Sequence, residues 1–280
     1  MKLTTLFTLK LLCIVLMSIF ILPSIFNITG LSQKALLPGT EVYFAIQKSN
    51  RNLNSDVLIL GDSVAHQLYE PEKHNEHYES LACNQAISLA GQYILLENYL
   101  KNNTHTKNVY LIYHPISFAN RLDQRFTFNY FLKPFYKSCY LKFITPRTID
   151  IISKMRYIKY LDIPIVRYTN VPLVIESAQN EEGANQEWYT LSDLSIEYLH
   201  KIKALAIKHK LKLMVISPFL DKKYNGYSSE DFTEAVNNNG LNDIFEGYFN
   251  FKYLDSSNFN DHIHYSNPGK LGENPLHLTW

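Results

Sequence analysis

Three largely apolar runs, each stopped abruptly by a turn residue, constrain the fold of this chain most strongly. They are "DVLIL" (56–60), "NVYLIYHP" (108–115) and "LKLMVISP" (211–218). Continuous apolar runs of this length are typical of strands buried on both faces of a parallel sheet. Apolar residues at helical spacing occupy 92–103 and 191–210 between them. The alternation of strand and helix predicts an α/β fold with a mostly parallel sheet.

Two weaker patterns extend this prediction. Residues 248–255, "YFNFKYLD", alternate enough to indicate a fourth strand, and 80–91 suggest a short strand followed by a loop. Ligands of open parallel sheets bind beyond the carboxyl ends of the strands. The polar residues expected at those ends are Ser63, His114, Ser217 and Asp255.

The N-terminus contains an uncharged apolar stretch, "LLCIVLMSIFILPSIF" (11–26), preceded by Lys2 and Lys10. Counted from Leu6, it reaches about twenty residues, enough to cross a bilayer as a helix. The basic residues predict a cytoplasmic N-terminus and a single-pass cell-membrane protein with its main domain outside the cytoplasm. A cleaved signal peptide is an alternative, although the small residues that precede a cleavage site are missing. A second alternative is a helix buried in the core of the protein.

We therefore expect a membrane anchor over 1–27, a linker over 28–52, one domain over 53–270 and a tail over 271–280. An aromatic-rich insertion at about 118–190 is predicted to be mostly helical and to form a lid or substrate wall. A net charge of +1 gives no reason to expect nucleic acid as a partner. Cysteine spacing does not decide whether Cys83 and Cys139 form a disulfide.

A serine follows the first strand directly, in "LILGDSVAHQLY". Serine nucleophiles need an exposed hydroxyl, a base within hydrogen-bond reach and an acid that orients the base. Gly61 permits a tight turn, and a helix beginning near Val64 points backbone N–H groups toward Ser63. The simpler interpretation is that Asp62 or Ser63 only caps this helix.

The segment "SNFNDHIHYSNPGKL" (257–271) supplies an acid and a base, with Asp261 three residues before His264. A turn at that spacing can direct both side chains the same way. His262, adjacent to Asp261, is expected to point elsewhere. Metal binding by His262 and His264 is an alternative, but no third ligand is apparent. We therefore predict no metal and no other cofactor.

These motifs resemble those of the SGNH (GDSL-type) hydrolase family, through "LILGDSVAHQLY", "NQAISLAG" and "NDHIHYSNPG". The resemblance covers about 53–115 and 211–270. It implies a flavodoxin-like, three-layer α/β/α sandwich and ester chemistry on acyl groups, commonly O-acetyl groups of glycans. It also implies that Ser63 is the nucleophile, His264 the base and Asp261 the acid.

The resemblance further implies an oxyanion hole built from the backbone amides of Ser63 and Gly91. The family's Gly-x-Asn after the next strand is replaced by "HPISF", so the usual asparagine side chain is missing. His114 and Asn84 are the alternatives for this donor. The last residues, "LGENPLHLTW", predict that the closing helix of the family is truncated or replaced.

The expected function is that of a membrane-anchored, extracytoplasmic serine esterase or O-acyltransferase, with acetyl as the expected group. It would act on cell-envelope or extracellular polysaccharide through an acyl-serine intermediate. Expected partners are an acylated carbohydrate or acyl donor, the membrane, and a membrane acyltransferase. The sequence does not distinguish hydrolysis from transfer. It also does not identify any substrate-binding residue.

Two other function classes compete with this one. A catalytically weak or inactive SGNH-like accessory protein in polysaccharide assembly or export is the main alternative, because the asparagine donor is absent. A nucleotide-binding doubly wound domain is disfavoured, because no Gly-x-Gly-x-x-Gly follows the first strand.

Overall fold

The structure is a computed structural model that describes residues 3–29, 40–73, 75–124, 126–155, 158, 161, 163, 190–226 and 228–279. Its helices and strands, in chain order, are α1 (Leu3–Ile28), α2 (Thr40–Ser49), β1 (Val57–Gly61), α3 (Ser63–Leu68), β2 (Glu79–Ser80), α4 (Ser88–Asn102), β3 (Asn108–Ile112), α5 (Lys133–Phe135), α6 (Pro146–Ser153), α7 (Asp193–His209), β4 (Lys212–Ile216), β5 (Leu220–Asp221), α8 (Glu230–Asn238) and β6 (Tyr253–Leu254).

The chain divides into two compact units, one formed by 1–43 and 125–182 and the other by 44–124 and 183–280. The predicted sheet and all the predicted site residues belong to the second unit. The insertion predicted at 118–190 contributes mainly to the first unit, so it is grouped with the N-terminal residues.

In the first unit, α1 carries an apolar stretch, Leu3–Ile25, that is long enough to cross a membrane, and its side chains are mostly exposed. Length and composition alone also describe a signal sequence, so the choice of an anchor stays a prediction. A π-helical turn (Phe128–Leu132) runs into α5, and the hydroxyl of Thr145 caps α6. The helical prediction is confirmed for this part of the insertion, and most of 156–189 lies outside the described residues.

The second unit contains a four-stranded sheet in the order β2-β1-β3-β4, in which every pair of neighbours is parallel. This confirms the α/β class and the mostly parallel sheet. Leu58 of β1 lies beside Val109 of β3, which lies beside Leu213 of β4. All three are buried, as expected for strands covered on both faces.

Alternate strand residues point to opposite faces. One face packs on α3 and the C-terminal residues in a single core cluster that includes Val57, Ile59, Tyr110, Ile112, Tyr69, Phe259, Tyr265 and Leu278. The helices α4 and α7 pack against each other, and α7 also packs against β4.

Among the described residues after β6, up to 279, the structure contains 3₁₀ turns and no α-helix. A 3₁₀ turn at Pro268–Leu271 is followed by a segment without helix. The Tyr110 hydroxyl donates to the Thr279 carbonyl oxygen at 2.8 Å, and the Tyr69 hydroxyl donates to Oδ1 of Asn274 at 3.2 Å. Side-chain hydroxyls from the sheet and α3 thus hold this segment on the core.

Two strand predictions differ from the structure. The predicted strand 248–255 is wrong except at Tyr253–Leu254, which pairs with β5 in a separate two-stranded sheet. The rings of its aromatic residues pack on one another, Tyr248 with Phe249 and Phe251, and this clustering imitates strand alternation. In 80–91 the strand is only Glu79–Ser80, and a helix, not a loop, follows from Ser88.

Gly61 allows the end of β1 to lie close to both α3 and β3. A Cβ atom at this position would lie 2.3 Å from Cβ of Ala65 and 2.3 Å from the carbonyl oxygen of Ile112. Because backbone cannot move aside cheaply, we expect Gly61→Ala to lower the free energy of unfolding by about 1–3 kcal/mol or more. Denaturant unfolding of the full chain measures this. Gly269→Ala is the control, since its Cβ would have no neighbour closer than 3.6 Å, and an equal loss in both variants would contradict the explanation.

Candidate active site

Ser63 lies where β1 passes into α3. Asp62 is the N-cap of α3 and Ser63 its first residue. Oδ1 of Asp62 accepts hydrogen bonds from the amides of Val64 (3.0 Å) and Ala65 (3.3 Å). Asp62 is therefore the cap that the sequence suggested, and the Ser63 hydroxyl is not used for capping.

The structure brings Ser63, His264 and Asp261 together in one chain of hydrogen bonds. Oγ of Ser63 lies 2.8 Å from Nε2 of His264, and Nδ1 of His264 lies 2.7 Å from Oδ2 of Asp261. This order of atoms, hydroxyl to imidazole to carboxylate, is that of a serine hydrolase triad. The carboxylate fixes the proton on Nδ1 and leaves Nε2 to accept the proton of Ser63.

Asp261 holds His264 through its backbone as well as its ring. Oδ1 of Asp261 accepts the amide N–H groups of Ile263 (3.1 Å) and His264 (2.7 Å). Burial alone would raise the pKa of Asp261, but the bonds from the His264 amide and ring and the Ile263 amide outweigh it, and the pKa lies below its usual value. The carboxylate is thus ionised at neutral pH, as the orienting acid of a triad must be.

The loop that carries this pair is hydrogen-bonded to α3, the helix that begins at Ser63. The amide of Tyr265 donates to Oε1 of Gln67 in α3 at 2.9 Å. Within the loop, the amide of Asn260 donates to the His264 carbonyl at 2.8 Å, and Phe259 forms an antiparallel bridge with Tyr265. These contacts hold His264 at the start of α3.

Asp62 connects the ends of β1 and β3. Its side chain is fully buried, and Oδ2 accepts the amide of His114 (2.7 Å) and the hydroxyl of Ser117 (2.6 Å). Burial raises the pKa of Asp62, and the bonds from these donors and from the α3 amides oppose that rise. The "HPISF" segment is therefore anchored directly to the residue before Ser63.

His114 occupies the place where the resemblance expects a side-chain donor. Gly61 and Ile112 are register partners, and Ser63 and His114 each lie two residues further along. Nδ1 of His114 accepts the amide of Ile116 at 3.3 Å, so the proton of the neutral ring is on Nε2. Burial, helped by the charge of His264 and opposed by that of Asp261, lowers the pKa of His114 to about 3. The ring is therefore a neutral N–H donor at physiological pH.

Gly91, which the resemblance implies as an oxyanion donor, lies inside a helix. Helix α4 begins at Ser88 with Ile87 as its N-cap, so Gly91 is its fourth residue. An amide at that position already donates to the N-cap carbonyl inside the helix and is not available to an oxyanion. The Leu89 amide is among those that the helix leaves without an internal partner. It follows Ser88, whose φ of 56° turns the backbone at this point.

The remaining predicted residues are placed as follows. Oδ1 of Asn84 accepts the amide of Ala86 at 2.9 Å and caps a 3₁₀ turn, and its role as an oxyanion donor stays a prediction. Cys83 is buried, Cys139 is exposed, and neither is in a disulfide. Within the described ranges, no group of three His, Cys, Asp or Glu side chains is arranged to hold a metal.

The sequence did not identify the partner of His262. Its Nδ1 lies 2.7 Å from Oδ2 of Asp221, which is far away in the chain. The ring therefore points away from Asp261, as the adjacent position led us to expect. Asp221 ends the short strand β5, which carried no recognisable sequence signal.

No family model, no curated protein and no solved structure matches this chain.

Proposed function

We propose that this protein is a membrane-anchored serine esterase or O-acyltransferase of the SGNH (GDSL-type) class, with a flavodoxin-like core. The observation that carries this proposal is the hydrogen-bond chain from Ser63 through His264 to Asp261. It lies at the carboxyl edge of a parallel sheet, where α/β enzymes bind their ligands.

The chemistry proceeds in two halves. His264 takes the proton from Oγ of Ser63 as the oxygen attacks the acyl carbonyl, and then gives it to the leaving hydroxyl group. Asp261 stabilises the imidazolium that forms between these steps. In the second half, His264 takes a proton from water or from a sugar hydroxyl as that oxygen attacks the acyl-serine. It then gives the proton to Oγ of Ser63 as the acyl–serine bond breaks, which restores the free enzyme. The two acceptors give hydrolysis and transfer respectively.

The oxyanion of each tetrahedral intermediate needs N–H donors. The Ser63 amide is one, and we propose the Leu89 amide in place of Gly91. The third donor is Nε2–H of His114, in the role that the family gives to asparagine. A neutral, buried N–H group is suited to this role because it needs no reorganisation as negative charge develops.

The apolar helix α1 supports a location at the membrane, with the catalytic unit on the extracytoplasmic side. Envelope or extracellular polysaccharide bearing O-acetyl groups is the proposed substrate, by resemblance to the family. The acyl donor would be delivered by a membrane acyltransferase if the reaction is transfer.

Covalent labelling tests the proposal directly. The full chain in detergent is treated with a fluorophosphonate probe, digested, and the modified peptide identified by mass spectrometry. We expect one adduct, on Ser63, because only this hydroxyl is activated by His264. No adduct, or an adduct that forms equally on other serines, would favour the accessory-protein alternative.

If Ser63 is labelled, a second assay distinguishes hydrolysis from acyl transfer. A chromogenic acetyl ester is supplied with and without an oligosaccharide acceptor, and acetate and acetylated sugar are both quantified. Release of acetate alone indicates an esterase, whereas acetyl sugar formed at the expense of acetate indicates a transferase.

A further inference from the structure

The loop that carries His264 contains a second carboxylate–imidazole pair, His262 with Asp221. Nδ1 of His262 lies 2.7 Å from Oδ2 of Asp221, the same atoms and the same distance as in the pair formed by His264 and Asp261. Two alternate residues of one short loop are therefore each held by a carboxylate. The second pair takes no part in the chemistry proposed above.

His262 has a backbone conformation that needs support. Its φ is 68°, in the left-handed region that few residues other than glycine adopt, although Asn, Asp and His do so more often than the rest. Such a conformation persists only where the surroundings fix it. The bond to Asp221 provides this support, because a hydrogen bond to a charged group is stronger than one between neutral groups.

The side chain of Asp221 is held in place by burial and by several hydrogen bonds. Its side chain is fully buried, and Oδ1 accepts the hydroxyl of Ser256 (2.5 Å) and the amide of Lys223 (2.9 Å). Burial alone would raise its pKa, but the bonds from Lys223, Ser256 and His262 outweigh this and the pKa lies below its usual value. Asp221 also pairs with Leu254 between β5 and β6, immediately before the loop.

The position of His262 in the chain connects Asp221 to the triad. It lies between Asp261 and Ile263, so its left-handed turn reverses the backbone directly after Asp261. That reversal brings the amides of Ile263 and His264 back to Oδ1 of Asp261, and the His264 ring to Oδ2. If the turn at His262 opens, the orientation of the His264 ring is lost with it.

We propose that Asp221 and His262 are positioning residues, which together fix the turn that aligns His264 with Ser63. The proposal rests on the proposed function for its kinetic consequence, but its structural content concerns only the contact between His264 and Asp261. Neither residue contacts the reacting atoms.

The test uses the full chain in detergent and the rate constant of fluorophosphonate labelling at Ser63. We expect His262→Ala to lower this rate constant between about 10- and 100-fold, because small misplacements of a catalytic group have effects of that size. The final labelled fraction should stay as in the wild type. His262→Asn should recover the rate to within about threefold, since asparagine tolerates the left-handed backbone and can donate to Asp221.

Two comparisons separate positioning from general stability. The double variant Asp221→Asn/His262→Ala should be labelled only slightly more slowly than the slower of the two single variants, because both changes remove the same interaction. Asp255→Asn is the matched control in the same segment, since its ion pair with Lys222 is exposed and contributes little. A His262→Ala protein that labels at the wild-type rate would overturn the proposal.

A spectroscopic measurement keeps the test independent of activity. The downfield proton resonance of Nδ1–H of His264, read in protein with isotope-labelled histidine, reports its bond to Asp261. We expect it to broaden or vanish in His262→Ala and to persist in Asp255→Asn. If the wild type is not labelled, the proposed function fails, and an unchanged resonance in His262→Ala would then reject the positioning role separately. If His262→Ala does not fold, Asp221→Asn alone gives the same comparison, with His262→Asn as the variant that should behave like the wild type.

Discussion

Replacing Ser63 by alanine is expected to abolish acyl transfer or hydrolysis, with a loss of about 10⁴- to 10⁶-fold in kcat. The oxygen that attacks the acyl group is absent, and His264, which lies 2.8 Å from it, has no nucleophile to activate. Turnover of a chromogenic acetyl ester measures the loss in purified protein. In cells, the acyl content of the envelope polysaccharide should match that of a deletion strain.

Ser217→Ala is the matched control, because Ser217 also follows a parallel strand, but its hydroxyl donates to the Pro218 carbonyl. It should retain full activity and full labelling. The accessory-protein alternative predicts the opposite outcome for Ser63→Ala, which would then complement the deletion strain and leave glycan acylation unchanged.

Replacing His114 by leucine is expected to lower kcat about 10²- to 10³-fold, equivalent to about 2.7–4 kcal/mol, while KM changes little. The reason is that its Nε2–H is the proposed donor to the oxyanion, which exists only in the intermediates and their transition states. His114→Gln should recover part of the rate, since its amide nitrogen reaches about as far as Nε2. Steady-state kinetics of the acetyl ester separates the two constants.

The same residue predicts a pH dependence of stability. The pKa of His114 is lowered from 6.5 to about 3 in the folded protein, so the unfolded chain binds the additional proton first as the pH falls. Stability contributed by the neutral ring is therefore complete above pH 6.5 and is lost between about 6.5 and 3. Unfolding measured across this range should show a weaker acid sensitivity in His114→Leu. An identical slope, with unchanged kcat, would mean that His114 is neither buried as described nor a donor.

The parts of this protein that sequence could predict are those set by local pattern. Continuous apolar runs located β1, β3 and β4, and the spacing of Asp261 and His264 predicted that they share a turn. The encounter of Ser63 with His264 was implied by the family resemblance of their two motifs, because the strand predicted before His264 is mostly absent and belongs to a separate sheet.

The parts that could not be predicted depend on conformations without a sequence signal. Ser88 and His262 adopt left-handed backbone angles that usually indicate glycine. Because α4 already begins at Ser88, the Gly91 amide lies inside the helix. The conformation of His262 depends on Asp221, which is distant in the sequence. The closely spaced aromatic residues at 248–251 led to the wrong strand prediction, because a cluster of packed rings and a β-strand can have the same sequence pattern.

The contact between Ser63 and His264 joins residues that are 201 positions apart. Contacts of such long range form slowly, because the entropy of closing the intervening loop is lost before the contact is gained. The sheet can therefore be complete while the loop of His264 has not yet docked on α3. In a refolding experiment, reactivity of Ser63 should appear after the native circular dichroism, and it would report the last step of assembly.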